Sequence, residues 1–168
     1  MSKRLFTSDW HLGHKAISKY RPQYSSIEEH DQAIFDQLSI LKKRDIVWVL
    51  GDILFDSDKY DYYVETLSKM SCEMRFVLGN HDSLKLYKEN RWNNVSIQLP
   101  FFSYKNMWIS HCPIAEREIR ERDLVVHGHC HNFSMLDKRY YNVILDKNVF
   151  KFVEYEQLMK RIEENKCI

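Results

Sequence analysis

The chain lacks any C-x-x-C pair or disulfide-like spacing among its four cysteines, Cys72, Cys112, Cys130 and Cys167. A disulfide framework is excluded, and the four read as free thiols in a reducing compartment. No hydrophobic targeting segment follows MSKRLFTSDW and no apolar run approaches membrane-spanning length, so a cytoplasmic protein with no membrane partner is expected. Net charge is nearly absent, 25 Lys and Arg against 24 Asp and Glu. That balance gives no global footprint for duplex DNA, though a local basic patch stays open. Repeats, low-complexity segments and Gly/Ser/Pro-rich linkers are also missing. The expectation is therefore one domain over residues 1–168, with no room for a cap domain.

What is present is an α/β pattern of short apolar runs alternating with helical-period segments. Strands are expected at 4–8 (RLFTS), 45–50 (DIVWVL) and 75–78 (RFVL). Between them, overlapping capping-box pairs Ser25/Glu28 and Ser26/Glu29 open a helix with Ile27, Ile34, Leu38 and Leu41 on one face. Tyr60, Tyr63, Val64 and Leu67 mark a second helix, and residues 83–91 a short third. Further on, 95–104 and 107–110 look like a hairpin turning near Lys105-Asn106. Runs at 124–126 and 141–145 follow, and Tyr155, Leu158, Met159 and Ile162 stripe a closing helix. The sum is two packed sheets flanked by helices.

Five of these strands run straight into a metal-ligand residue type: Asp9-Trp10-His11, Gly51-Asp52, Gly79-Asn80-His81-Asp82, His111, and His127-Gly128-His129-Cys130-His131. Seven of the eight histidines, all but His30, lie in or beside these segments. Each piece alone is commonplace: a D-x-H pair usually means nothing, and Gly-Asn-His-Asp is usually a turn. Ligands in open α/β sheets, however, sit beyond the carboxyl ends of strands. Strand ends lying side by side would make these groups converge.

In this order the five motifs resemble the calcineurin-like metallophosphoesterases, which read D-x-H, G-D, G-N-H-[DE], a lone His and G-H-x-H. The resemblance implies a four-layer α/β/β/α sandwich of two mixed sheets flanked by helices. It also implies two divalent transition metals per chain. Asp9, His11, Asp52 and His131 would hold one and Asp52, Asn80, His111 and His129 the other, with Asp52 bridging. Mixed imidazole and oxygen donors favour Mn first, with Fe, Zn or Ni as alternatives, over Mg or Ca. Metals about 3.5–4 Å apart can activate a bridging hydroxide and clamp phosphoryl oxygens for in-line displacement. His81 matches the family position that assists the leaving oxygen, with Asp82 expected to orient its imidazole. His127 is open between a group just behind the site and a satisfied strand histidine. Gly128 is expected to let the backbone turn tightly, and Cys130 to point away.

One departure concerns the second motif. Many relatives read G-D-x-x-D, whereas Gly51-Asp52-Ile53-Leu54-Phe55 places Phe fifth with Asp56 next. The family's second Asp is not a metal ligand, so the metal site is untouched. The G-D-x-V-D-R-G continuation of phosphoprotein phosphatases is missing. The first motif, Ser8-Asp9-Trp10-His11-Leu12-Gly13-His14 with Tyr20-Arg21-Pro22 beyond, is similar to small bacterial and phage members reading S-D-x-H-F-G-H. There His14 and Arg21 are candidates to bind a substrate phosphate or leaving group. Against this stand a helix-start residue and a solvated charge. The mixed-sign 116–123 stretch (EREIRERD) reads as a solvated helical face. The expected activity is hydrolysis of a phosphomonoester or phosphodiester of a nucleotide, cyclic nucleotide or nucleic-acid end. The alternatives are a nuclease on single-stranded DNA or RNA, or a non-catalytic scaffold, whose mark would be eroded ligand positions. The oligomeric state is not encoded legibly.

Overall fold

The first sheet begins with β1 (Arg4–Thr7) and β2 (Ile46–Leu50), which pair in parallel from Arg4↔Ile46 to Thr7↔Val49. This is a computed structural model, and it describes residues 2–55 and 58–166; Asp56 and Cys167 fall outside them. β3 (Glu73–Val77) and β4 (Val95–Ile97) continue the parallel run, and β9 (Val153–Glu154) adds an antiparallel edge to give the order β4-β3-β2-β1-β9. The second sheet, β5-β6-β7-β8, comprises Phe101–Tyr104, Met107–Ser110, Leu124–His127 and Tyr140–Asn142. Its β5–β6 pair is antiparallel and its other two pairs parallel.

Successive residues of a strand face opposite sides of the sheet, and the side chains of β1 and β2 divide accordingly. Leu5, Val47 and Val49 pack with Ile34, Leu38, Tyr63, Val64 and Leu67 of α2 (Ile27–Ser39) and α3 (Tyr60–Ser68). Phe6, Trp48 and Leu50 meet Ile109, Leu124 and Val126 of the second sheet, together with Leu158 and Ile162 of α5 (Tyr155–Lys166). The outer face of the second sheet is covered through Ile119, Val125 and Tyr140. The two mixed sheets flanked by helices are thus the expected α/β architecture. Among the described residues no helix is long and apolar enough to cross a membrane. Cys72, Cys112 and Cys130 are free thiols.

Local chemistry explains the element ends. Ser26 caps α2 by accepting the Glu29 amide at 3.1 Å, while the Glu29 carboxylate closes back on Ser25 N and Oγ. The expected run 95–104 is not one strand. β4 belongs to the first sheet, and the chain crosses to the second at Gln98-Leu99-Pro100, where proline offers no N–H to continue a ladder. The hairpin is confined to β5 and β6, with Lys105 in left-handed backbone at the turn. The expected helix over 83–91 shrinks to one turn, α4 (Leu84–Tyr87), for Ser83 gives it no side-chain cap. In the run 141–145 the ladder of the second sheet ends at Asn142, Ile144 makes an isolated bridge to Ser8, and a 3-10 turn over Leu145–Asn148 follows. The 116–123 stretch is a 3-10 turn (Glu116–Glu118) followed by a fully buried Ile119, so it is not a wholly solvated face.

Candidate metal centre

The carboxyl ends of β1, β2 and β3 lie side by side, and the ladder continues past the strands into the motifs. Asp9 N donates to Gly51 O at 2.9 Å, and His11 N to Asp52 O at 2.9 Å. The second sheet joins by an isolated bridge from Ser8 to Ile144, and Gly128 N donates to His111 O at 2.8 Å. This register brings Asp9, His11, Asp52, Asn80, His111, His129 and His131 together. His131 Nε2 lies 3.1 Å from Asp9 Oδ1 and 3.4 Å from His11 Nε2, which is itself 3.9 Å from Asp9 Oδ1 and 4.0 Å from Asp52 Oδ2. On the other side, His111 Nε2 is 3.5 Å from Asp52 Oδ1 and 3.0 Å from Asn80 Oδ1, and its ring centroid is 5.1 Å from that of His129.

Holding these groups strains the backbone. Eight non-glycine residues among those described have positive φ, and Asp9, His11, Asp52 and His129 are four of them, at 50–66°. Each such conformation costs on the order of 1–3 kcal/mol and persists only where surroundings over-determine it. Gly51 has φ +89°, and a Cβ there would meet the His111 ring. Gly128 does not have positive φ; its role is close approach, since a Cβ would run into the Ser8 and Asp9 side chains. The tight turn expected of Gly128 is therefore replaced by a packing reason.

The donor set fits divalent cations. Asp9 Oδ1 is buried without a hydrogen-bond partner, its 3.1 Å contact with His131 being off hydrogen-bond direction. His111 Nδ1–H donates to Leu50 O at 2.7 Å, fixing the ring so that Nε2 faces Asp52 and Asn80. An outer partner of this kind is how proteins orient a metal-binding imidazole. His131 is steered likewise by Asp146 at 3.3 Å, and the Asp146 and Asp9 carboxylates hold it up at about 9 without a cation. Burial drops His11 to about 3, the form in which an imidazole binds metal. For Asp9, burial acts upward, but the polar groups of His131 and Ser8 close beside it, with the His129 amide, outweigh it and keep the carboxyl low. Cys112 Sγ falls within 4.8 Å of ligand nitrogens of His111 and His129, a proximity that its sequence position does not announce.

The remaining expected residues divide. His81 is exposed, its ring 5.6 Å from His11 and 5.1 Å from Phe55, with its backbone N–H on Asp52 Oδ1 at 3.0 Å. Asp82 does not hold the His81 imidazole. Its oxygens accept the backbone N–H groups of Gly79, Ile53 and Leu54 at 2.8–3.1 Å, tying the β3 loop to the β2 loop. Burial nevertheless raises its pKa, despite those three bonds. His127 is buried, with Nδ1 on Gly128 O at 2.8 Å and its ring against Tyr140, and burial lowers its pKa. His14 accepts the Ala16 amide at Nδ1, as a helix-start residue would, yet its ring stacks 4.0 Å from Phe55 beside the cluster.

Arg21 is neither a solvated charge nor free to grip a phosphate. It is 2% exposed, and all five of its N–H donors are engaged. Nε and one NH2 proton go to the Asp146 carboxylate at 2.7 and 3.0 Å, and the other NH2 proton to the Asp9 carbonyl at 2.7 Å. NH1 serves the Trp10 carbonyl at 3.1 Å and His30 Nε2 at 2.6 Å. His30, outside every motif, donates from Nδ1 to Asp31, which also receives Gly13 N and the Tyr63 hydroxyl. Sequence reasoning missed Asp146, whose only signal is a carboxylate just after an apolar run; His30 and Asp31 carried none, because their partners beyond each other are 9 to 32 residues away.

Imidazoles and carboxylates gathered at the carboxyl edge of two mixed sheets define the class: an α/β protein with His/Asp groups that could hold a metal. More particularly, the family model for calcineurin-like phosphoesterase matches residues 2–165. The chain belongs to that family and is a hydrolase acting on phosphoester bonds. It is similar to an uncharacterized Methanocaldococcus jannaschii protein, 27% identical over all of this chain and 96% of that one. It is also similar to one component of the SbcCD nuclease of Escherichia coli K12, 34% identical over 52% of this chain but only 23% of that component. A solved structure of an Aquifex aeolicus protein of unknown function shares the fold, with a TM-score of 0.71 at 23% identity over 95% of this chain and 99% of that one.

Proposed function

We propose that the chain is a dinuclear metal-dependent phosphoesterase acting on a phosphomonoester or phosphodiester of a nucleotide or nucleic-acid end. The observation that carries this reading is the convergence of seven ligand-type side chains from five strand ends, with an exposed imidazole, His81, beside them. Asp9, His11, Asp52 and His131 would hold one cation, and Asp52, Asn80, His111 and His129 the other, with Mn favoured by the donor set. Bound there, the cations supply the positive charge that activates water and draws in phosphoryl oxygens. The chain's own contribution is position. Asp52 is fixed by its βα turn and by the His81 amide. His81 stands on the open side, where it donates a proton to the departing ester oxygen as the water oxygen bonds to phosphorus. The electron pair of the broken P–O bond leaves with that oxygen, giving an alcohol and a phosphate. His14, beside His81 across Phe55, contacts the substrate's leaving portion.

A nuclease on single-stranded DNA or RNA is the second reading, favoured by the 34% identity with a nuclease component. The experiment that tests the main reading is metal analysis with a Mn²⁺-reconstituted screen of chromogenic mono- and diesters, then nucleotides, cyclic nucleotides and single-stranded DNA. Close to two metals per chain and hydrolysis of at least one ester class are expected. A chain that takes up no metal overturns it.

A further inference from the structure

The departure at Phe55 has a counterpart in space. Its ring is 42% exposed, yet it packs 4.0 Å from His14, 5.1 Å from His81 and 5.8 Å from His11. Tyr20, 74% exposed, stands edge-on to His14 at 5.6 Å. These rings form one wall of a cavity of about 770 Å³ that opens beside the ligand cluster, within the usual range for small-molecule sites. Val149 and Phe150 add to the lining, together with His81, His131, Asn132 and Asp146.

The Val149-Phe150 part of the lining is held in place at a cost. Val149 and Phe150 have φ of +53° and +56°, a conformation that is a genuine outlier for a β-branched residue. The Phe150 amide on Leu145 O at 2.8 Å and its ring against Tyr24, His30 and Arg21 pin the loop. The result leaves Val149 86% exposed at the cavity rim. Beside the polar lining groups, the histidines with Arg21, Gln23, Asn132 and Asp146, the cavity presents flat or branched carbon from Ile17, Tyr20, Phe55, Val149 and Phe150.

Positive charge is scarce around this space. The Arg21 guanidinium is saturated, and Lys147 Nζ is engaged by Phe133 O and Ser134 Oγ. A groove tracking many phosphates needs cations along the backbone, whereas one flat ring needs only faces to stack on. Resting on the phosphoesterase reading above, we propose that this cavity is a subsite for a single nucleobase. Phe55 and Tyr20 stack on the base, Val149 lies at the rim, and the ester oxygen of the attached sugar points to His81. The substrate is then a nucleoside phosphate ester, carried either by a free nucleotide or by the terminal residue of a strand.

The test is the fluorescence of 2-aminopurine riboside 5′-monophosphate, which is quenched on stacking, titrated with Zn²⁺-loaded protein and competed with ribose 5-phosphate. Quenching is expected, with the base-bearing compound bound more tightly. Phe55→Ala should weaken it about tenfold relative to ribose 5-phosphate, Phe55→Trp should retain it, and Tyr20→Ala should show a smaller loss. Both positions are exposed, and circular dichroism checks that the fold survives. Equal binding of the two compounds, or a Phe55→Ala loss shared equally by both, overturns the subsite. A short single strand ending in 2-aminopurine distinguishes the sources: tighter binding assigns strand ends, weaker binding free nucleotides. Because quenching is read without turnover, the slot stands or falls separately from phosphoester hydrolysis.

Discussion

Tyr20 and Arg21 are neighbours in sequence and line the same cavity beside the cluster, Tyr20 on its exposed, front flank and Arg21 on its buried, rear flank. Arg21 is buried, every donor engaged, bonded to the Asp9 carbonyl and, through Asp146, to the His131 ring. Tyr20 faces solvent in front, its ring 5.6 Å from His14, with Phe55 and His81 beyond. Behind the cluster, polar groups are saturated by one another, as low-dielectric surroundings require. In front, aromatic rings are exposed and polar atoms are left for a ligand. The rear flank is therefore organised for permanence and the front flank for exchange. Substitutions on the two sides should fail in different measurements.

The ligands between the flanks give the largest effect. Asp52→Asn removes the charge proposed to be shared by both cations, and metal content should fall below two per chain. Turnover should drop with it by several kcal/mol of charge stabilisation, on the order of 10³-fold. Metal analysis beside steady-state assays reads both. On the front flank, His81→Ala should lower turnover by about 10²–10⁴-fold while leaving metal content intact. Loss of metal in His81→Ala would move His81 to the rear group and erase the contrast.

The rear flank was the less legible of the two. Five strand-terminal motifs made the convergence of these side chains legible, because a parallel sheet aligns its carboxyl edges and local sequence shows where each strand stops. The sheets, α2, α3 and α5 followed from periodicity. β9 did not, as two residues make no pattern, and the split of 95–104 between sheets is a tertiary choice. Adjacency of Asp82 to His81 suggests a partner, whereas its backbone geometry turns it toward the amides of residues 53, 54 and 79. Arg21 reads locally as an exposed loop cation. Nothing nearby in the chain announces Asp146, 125 residues on, or the carbonyls that it binds.

That concealed network makes Arg21→Met the sharpest test of the rear flank. The substitution keeps bulk but leaves the buried His30 ring and the part-exposed Asp146 carboxylate without their partner. Breaking a fully buried pair costs about 3–5 kcal/mol, and water reaching the open side of Asp146 recovers part of that, so a loss at or below the lower end is expected. Chemical denaturation should report it as a lower midpoint, visible in metal-free protein and not only in turnover. An Arg21→Met chain of unchanged stability that loses phosphate affinity would instead return Arg21 to the front flank.

Asp146→Asn should give the smallest effect and separates steering from stability. An amide oxygen can still accept from Arg21 and from His131 Nδ1, so the fold should lose less than in Arg21→Met. The charge that holds the His131 imidazole up would be gone, however, and with it the basicity that an outer carboxylate lends a metal-binding ring. Metal affinity should fall about 10–100-fold, measured by competition with a chelator of known strength, while turnover at saturating metal recovers. An affinity loss with recovery would mark Asp146 as a residue that tunes His131 from behind. A turnover deficit that saturating metal cannot repair would mean that the Asp146 carboxylate, which like Arg21 lines the front cavity, meets the substrate itself, so that the two flanks act together on it.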